Sequence, residues 1–151
     1  MPEVGELAPP FSLANQRGEV VDLDQLRGSW VVLYWYPKAD TPGCAAQAQG
    51  LRDQLAAFDE LGARVVGASF DPVADLAAFA EKYDLSFDLV SDEDHQVGRA
   101  YGVAGPDGGR GHAERVAFVL DPGGVVRVRL IVGDPEFFAD HVLDELEELA
   151  L

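Results

Sequence analysis

The stretch VVLYWYPKADTPGCAAQAQG, residues 31–50, contains the transition that decides the fold. It begins with an apolar run rich in β-branched and aromatic residues, which is typical of a buried strand. Thr, Pro and Gly follow at 41–43, where Thr is a good helix N-cap and Pro suits the first helical position. The sequence therefore predicts a strand at about 30–36, a short turn, and a helix with Cys44 in its first turn.

The rest of the chain continues this alternation of strands and helices. Apolar, β-branched runs predict further strands at about 63–70, 87–91, 115–121 and 124–132. Helical periodicity predicts helices at about 43–60, 73–83, 95–101 and 135–149. The order β-α-β-α-β-α, followed by a hairpin that turns at DPGG and a closing helix, predicts an α/β protein with a mixed central sheet flanked by helices.

Two of the predicted helices carry an apolar stripe that should face the core. The stripe residues are Cys44, Ala48, Leu51, Leu55 and Phe58 in the first helix, and Phe138, Val142, Leu146 and Leu149 in the last. The carboxylates of the last helix then face water. We interpret this acidic segment as a solvated helix face in preference to an interaction tail.

The predicted topology brings two distant segments together. Strands joined by right-handed helical crossovers are parallel, and the hairpin strand that follows them runs antiparallel in the same sheet. The carboxyl end of the strand at about 30–36 and the amino end of the strand at about 115–121 should therefore share one edge of the sheet. Because α/β proteins place their sites at such an edge, Arg115 is a candidate partner for Cys44.

The length and composition limit the kinds of protein that the chain can be. At 151 residues and 48% hydrophobic, it should form one domain, residues 1–151. The N-terminus MPEVGELAPPF resembles no signal peptide, and the longest apolar run is too short to span a bilayer, so we expect a soluble, cytoplasmic protein. With one cysteine, any disulfide must involve a second molecule.

The charge balance excludes some classes of partner. The chain has 27 acidic and 11 basic side chains and a net charge of -16. A nucleic-acid or anionic-membrane partner would require a basic patch, so neither is expected. The scattered histidines have no spacing that pairs one of them with the cysteine as a base, which disfavours a Cys-His hydrolase.

The chemistry of the solitary thiol depends on its neighbours. A lone cysteine on an apolar helical stripe can be an inert core residue. In the first turn of a helix, however, unpaired N–H groups and the helix dipole stabilise a thiolate, and Gly43 leaves the thiol without steric cover. A thiolate alone is not an effective catalyst, so donors must also activate the substrate. The Thr41 hydroxyl, the first-turn amides and Arg115 are the candidates.

Two adjoining segments, YPKADTPGC and AAQAQGLRD, closely resemble peroxiredoxins of the bacterioferritin comigratory protein (PrxQ) group. These proteins are thiol peroxidases with a thioredoxin-like fold. The resemblance continues in order through FAEKYDLSFDLVSDEDHQV, YGV and RVAFVLDPGG, so it covers most of the chain. It implies an antioxidant enzyme without a cofactor or a metal.

The resemblance assigns a role to each matching residue. It implies that Cys44 attacks the peroxide O–O bond, becomes a sulfenic acid and releases water or an alcohol. Thr41 would hydrogen-bond the peroxide and the thiolate, Pro37 would shield the pocket from water, and Arg115 would hold the thiolate and polarise the departing oxygen. Gly43, Gln47 and Tyr36 would support the pocket, Gln47 by ordering the helix or the arginine.

The sequence departs from many relatives in lacking a resolving cysteine. The positions where relatives carry one are occupied by Gln49 and Gly98. A one-cysteine cycle is implied, in which an external thiol such as thioredoxin, glutaredoxin or a low-molecular-weight thiol reduces the sulfenic acid. The substrates would be hydrogen peroxide and small organic hydroperoxides, and the protein would be a monomer or weak homodimer. A non-enzymatic redox sensor or holdase of the same fold is the alternative.

Three other functions are disfavoured by the sequence: dithiol exchange, metal binding and nucleotide binding. A dithiol oxidoreductase needs C-x-x-C, but Thr41 stands where the second sulfur would be. The stretch DEDH, residues 92–95, fits a helix N-cap better than a metal site. GPDGGRG, residues 105–111, neither follows a strand nor carries a Walker lysine, so nucleotide binding is disfavoured.

Overall fold

The computed structural model of the protein describes residues 1–105 and 111–150. Its strands are β1 (Ser12–Ala14), β2 (Val20–Asp22), β3 (Trp30–Trp35), β4 (Ala63–Ser69), β5 (Asp88–Ser91), β6 (Val116–Leu120) and β7 (Val126–Ile131). Its helices are α1 (Pro42–Asp53), α2 (Leu55–Glu60), α3 (Val73–Tyr83), α4 (Gln96–Ala100) and α5 (Phe138–Ala150), with 3₁₀ turns at Leu23–Leu26 and Pro135–Phe137. Most of the glycine-rich stretch GPDGGRG lies outside the described residues.

The main sheet confirms the predicted mixed α/β architecture. Its strand order is β5-β4-β3-β6-β7, in which β3, β4 and β5 are parallel and β6 is antiparallel to both β3 and β7. The chain enters β6 from the edge of the sheet at which β5 ends, because β6 runs antiparallel to β3 whereas β5 runs parallel to β4 and β3. Trp35 at the end of β3 therefore pairs with Val116 at the start of β6, and the shared edge is as predicted.

Side chains from both faces of the sheet are buried. Val32, Tyr34 and Tyr36 belong to the core cluster that contains residues of α1, α2, α3 and α5. Leu33 and Trp35 belong to a second cluster, which the N-terminal segment and β2 help to cover. Burial on both faces explains why β3 is apolar throughout and lacks the alternation of a strand with one wet face.

The predicted helix at 43–60 is in fact two helices. Helix α1 ends at Asp53 and α2 begins at Leu55, with Gln54 between them at φ -105° and ψ 6°. The Phe58 N–H still bonds the Gln54 carbonyl at 3.3 Å, so one non-helical residue leaves the apolar periodicity almost unchanged. The sequence pattern could not reveal this break. Its consequence is that Leu55 is only half-buried, whereas the other four residues of the predicted stripe are buried.

The remaining predicted helices agree closely with the structure. The last α-helix begins three residues later than expected, because Pro135–Phe137 forms a 3₁₀ turn, and it buries Phe138, Val142 and Leu146 but Leu149 only in part. The short hairpin of β1 and β2 was not predicted, since three-residue strands give little periodicity.

Among the described residues, no helix has the length and apolarity needed to cross a membrane.

Gly67 is required inside β4 because Tyr34 lies across it. A Cβ atom at this position would lie 2.8 Å from Tyr34 Cζ and 3.0 Å from Leu89 Cδ2. We predict that Gly67→Ala lowers the free energy of unfolding by about 1–3 kcal/mol, the usual cost of overpacking a core. Urea denaturation followed by circular dichroism measures this change.

The matched control is Gly50→Ala in α1, where the new Cβ would meet Ala139 Cβ at an ordinary 3.5 Å. Because alanine favours a helix over glycine, this variant should be unchanged or up to about 1 kcal/mol more stable. Equal unfolding free energies for Gly67→Ala and the wild-type protein would contradict the packing argument.

Candidate active site

Cys44 is the third residue of α1, directly after Pro42 and Gly43. Thr41 is the N-cap, and the first helical bond joins the Ala45 N–H to the Thr41 carbonyl at 2.8 Å. The thiol is free and its residue is only 1% exposed. The structure thus confirms the predicted place of the cysteine in the first helical turn, where the first amides of a helix lack intrahelical partners.

Arg115 lies across the start of α1. It immediately precedes β6, and its Nη1 donates a 2.8 Å hydrogen bond to Gln47 Oε1. A Cβ atom built on Gly43 would lie 2.9 Å from Arg115 Nη2. The expectation that Gly43 leaves the thiol uncovered was therefore wrong, because the missing side chain makes room for the guanidinium.

The charge of Arg115 is not neutralised by a carboxylate in the described part of the chain. In the described part of the chain, the guanidinium donates to the neutral side-chain amide of Gln47 and to no carboxylate. Gln47 is fully buried, and its Nε2 donates no hydrogen bond there. Gln47 thus orients the guanidinium through its oxygen and leaves the positive charge in place. The half-buried Arg115 can therefore act on a negative charge that develops beside the first turn of α1.

Thr41 occupies the predicted N-cap position, but its hydroxyl does not cap the helix. It donates instead to the Lys38 carbonyl at 2.8 Å. A hydroxyl that donates one bond still has two lone pairs that can accept another. Pro37, half-buried, follows β3 after one residue and begins the loop that leads to Thr41.

Tyr34 of β3 and Tyr36, the residue after the end of β3, belong to the core cluster that contains Cys44. Their rings lie 5.4 Å apart. Burial raises the pKa of Tyr36, and the charges of Asp71 and Cys44 act in the same direction. Burial also raises the pKa of Tyr34 well above its usual value, and Arg115 opposes that shift.

The loop from Pro37 to Thr41 is held by side chains that the sequence did not suggest. Ala39 N–H donates to Asp71 Oδ2 at 2.8 Å. Asp40, which has a left-handed φ of 62°, accepts bonds from Lys82 Nζ at 2.9 Å and Tyr83 Oη at 2.8 Å. Lys82 lowers the pKa of Asp40, and Tyr83 adds to this. The position of Asp71 just after a parallel strand was the one available signal.

The stretch DEDH lies directly before helix α4, with His95 as the N-cap residue, so the predicted helix start is present, but its acidic residues lie outside the first helical turn. Asp92 accepts bonds from Val97 N–H at 3.2 Å and from Gly98 N–H, whereas Asp94 accepts one from Gln96 N–H at 3.1 Å. Burial raises the pKa of Asp92, which these backbone bonds partly offset. In the described residues, 1–105 and 111–150, no three His, Cys, Asp or Glu side chains are grouped so as to hold a metal ion.

Comparison with known proteins identifies close relatives. The model of the AhpC/TSA family matches residues 4–129. Peroxiredoxin Bcp of Escherichia coli (strain K12) is 44% identical over 128 residues, which are 82% of this chain and 82% of the relative. Peroxidoxin BcpB of Mycobacterium tuberculosis has a crystal structure that matches with a TM-score of 0.92 and 33% identity over 99% of each chain.

A further solved structure is the Xanthomonas campestris bacterioferritin comigratory protein, whose trapped intermediate and ligand complexes give insights into its alkyl peroxide reduction activity. It matches with a TM-score of 0.87 and 31% identity, over 100% of this chain and 99% of that chain. These structural neighbours are thioredoxin-like peroxiredoxins. The predicted thioredoxin-like fold is therefore confirmed.

The buried phenols predict how stability depends on alkaline pH. The pKa values of Tyr34, Tyr36 and Tyr101 are all raised by burial. Above pH 10 the unfolded chain loses these protons while the folded chain keeps them, so stability falls as the pH rises. We expect Tyr34→Phe to reduce the loss of stability between pH 10 and 11, measured by urea denaturation, by about 1 kcal/mol, because an unfolded phenol with a pKa near 10 is only partly deprotonated over this interval.

At pH 7 the same variant should be about 1 kcal/mol more stable than the wild-type protein, because the buried Tyr34 hydroxyl has no hydrogen-bond partner in the described residues. A clear loss of stability at pH 7, or an unchanged alkaline decline, would show that this phenol is hydrated or bonded.

Proposed function

Because this chain belongs to the AhpC/TSA family, as a peroxiredoxin of the Bcp and PrxQ group of thiol peroxidases, we propose that Cys44 is the residue at which it reduces peroxides. The observation that carries this assignment is that the Arg115 guanidinium packs against Gly43, next to Cys44. It has no carboxylate partner among the described residues. The proposed substrates are hydrogen peroxide and small organic hydroperoxides.

In the proposed reaction, the Cys44 thiolate attacks one peroxide oxygen. An S–O bond forms as the O–O bond breaks, so the sulfur is oxidised by two electrons and the peroxide is reduced. The departing oxygen takes up a proton and leaves as water or an alcohol, and Cys44 becomes a sulfenic acid. Negative charge moves from the sulfur to the departing oxygen during this step, and donors must follow that charge.

Substrate activation explains why several donors surround one thiol. A more acidic thiol gives more thiolate but a weaker nucleophile, so stabilising the thiolate alone gains little rate. Arg115 would stabilise the developing charge on the departing oxygen, with Gln47 orienting it. Thr41 would bond the peroxide, and Pro37 and Tyr36 would exclude water from the pocket.

A cleft with a mostly apolar lining beside the site supports organic hydroperoxides as substrates. It has a volume of about 270 Å³ and is lined by Ile131, Val132 and Phe137, together with the polar side chains of Asp134 and His141. Val132 N–H bonds the Arg115 carbonyl at 3.0 Å, and Pro135 lies near Gly43, so the cleft adjoins the start of α1. Ile131 is 76% exposed and Phe137 is 62% exposed, which leaves apolar surface for an organic substituent.

We assign the return to the thiol to an external reductant. The sulfenic acid would condense with a reductant thiol to give a mixed disulfide and water, and a second thiolate would then release Cys44. The packing at Gly98 supports this one-cysteine cycle. A side chain there would meet Phe70 Cε1 at 2.6 Å, so the fold has no room for a second sulfur at this position.

The decisive experiment is stopped-flow oxidation of the reduced protein by hydrogen peroxide. The Cys44 thiol should be lost far faster than free cysteine, and peroxide should be consumed catalytically when a thioredoxin system or dithiothreitol is added. Cys44→Ser should abolish both. Rapid oxidation without turnover under any thiol would support the redox sensor or holdase instead, and a thiol no faster than free cysteine would exclude both functions.

Gly43→Ala tests whether the reaction needs the Arg115 guanidinium in its position against Gly43. The new Cβ would lie 2.9 Å from Arg115 Nη2, so the end of this flexible side chain must move. We expect the peroxide rate constant to fall by about 10- to 100-fold, because the donor is displaced and not lost, and removing one donor from an oxyanion site outright costs about 100- to 1,000-fold. The control is Gly50→Ala in the same helix, which should keep the wild-type rate, and a Gly43→Ala protein that also kept it would show that Arg115 is not needed in this position.

A further inference from the structure

Asp71 is a buried carboxylate at the edge of the sheet where β3 and β4 end. It is 9% exposed and follows β4 after one residue. Its Oδ2 accepts two hydrogen bonds of 2.8 Å, one from Ala39 N–H and one from the Ser69 hydroxyl. Its carbonyl accepts a 2.7 Å bond from the Ser91 hydroxyl. The side chain is thus oriented by Ser69 of β4 and bonds the loop that leads to α1, while Ser91 of β5 holds the Asp71 backbone.

This carboxylate has no ion-pair partner within residues 1–105 and 111–150. Its partners are one backbone amide and one hydroxyl, both donating to the same oxygen. A buried carboxylate without a cation is costly, and an ordinary core position would be filled by an apolar side chain. The arrangement therefore indicates that the bond to Ala39 is what the residue contributes.

The loop that Asp71 holds needs an external restraint. Asp40, the residue after Ala39, has a left-handed φ of 62°, which is unfavourable for a residue with a side chain. Among the described residues, hydrogen bonds from two places in other elements restrain the loop: the buried bond to Asp71, and the exposed contacts of Asp40 with Lys82 and Tyr83. Exposed ion pairs contribute little, so the buried bond should dominate.

We propose that Asp71 is a positioning residue for the attack of Cys44 on peroxide, acting through the Ala39 amide. This inference rests on the proposed function of Cys44. Ala39 lies between Pro37 and Thr41, the two loop residues assigned to the peroxide pocket, and Thr41 is the N-cap of the helix that carries the thiol. Without the bond to Asp71 the loop shifts. The Thr41 hydroxyl then no longer lies where it can hydrogen-bond a peroxide that is positioned for attack by the Cys44 sulfur.

The test compares Asp71→Ala and Asp71→Asn in two reactions of Cys44. Stopped-flow oxidation by hydrogen peroxide needs the positioned loop, whereas alkylation by iodoacetamide needs only an accessible thiolate. Asp71→Ala should slow oxidation by about 100-fold, the cost of misplacing a reacting group by about 1 Å, and leave alkylation nearly unchanged. Asp71→Asn keeps an oxygen that can accept both bonds, so it should restore most of the oxidation rate.

Lys82→Ala is the matched control, because it weakens the exposed restraint on the same loop. Its oxidation rate should stay within about fivefold of the wild-type rate. If Asp71→Ala does not fold, Ser69→Ala replaces it: this change removes the hydroxyl that orients the carboxylate, and it should slow oxidation by about 10-fold without changing alkylation.

Three results would overturn the inference: wild-type oxidation rates in Asp71→Ala or, in its place, Ser69→Ala; equal loss of oxidation and alkylation; or an Asp71→Asn protein as slow as Asp71→Ala, which would make the charge responsible. Failure of the proposed function looks different, because the wild-type protein itself would then react slowly with peroxide.

Discussion

The antiparallel pairing of β6 with β3 is the constraint on which the rest of the site depends. It sets Val116 opposite Trp35 and so brings Arg115 to the edge where α1 begins, 71 residues away from Cys44 in the chain. A parallel β6 would start at the other edge of the sheet, about 15–20 Å away for strands of this length. The guanidinium would then be out of reach of the thiol. The direction in which β6 pairs with β3 thus decides whether Arg115 can reach the thiol.

The site is built from neutral neighbours around a few charges. Gln47 fixes Arg115 without neutralising it, and Tyr34 is buried near the thiol with its hydroxyl unbonded in the described residues. Unpaired buried polar groups normally lower stability. Here they lie on α1 and β3, close to Cys44. Their presence is consistent with a site in which stability is lower but the positive charge of Arg115 is not neutralised. The apolar clusters on both faces of the sheet supply the compensating stability.

The loop between β3 and α1 shows how the scaffold controls the approach to the thiol. Its backbone is held from outside, by Asp71 at the end of β4 and by residues at the end of α3. The parallel strand β4 therefore does more than contribute to the core, because Asp71, just beyond its carboxyl end, bonds the loop between β3 and α1. The candidate site lies where α/β sheets generally place their sites, at the carboxyl ends of the parallel strands.

The sequence by itself determined the local elements of this protein. The apolar run of β3, the Thr-Pro-Gly helix start and the shared edge of the two distant strands follow from periodicity, capping and crossover rules, and the structure has them as predicted. Only the tertiary structure decided the break at Gln54, the role of Gly43 as the seat of Arg115, and the hold of Asp71 on Ala39. The reason is that propensity and periodicity act between residues close in sequence, whereas a contact between side chains and backbone from different strands depends on where the packed sheet places each of them.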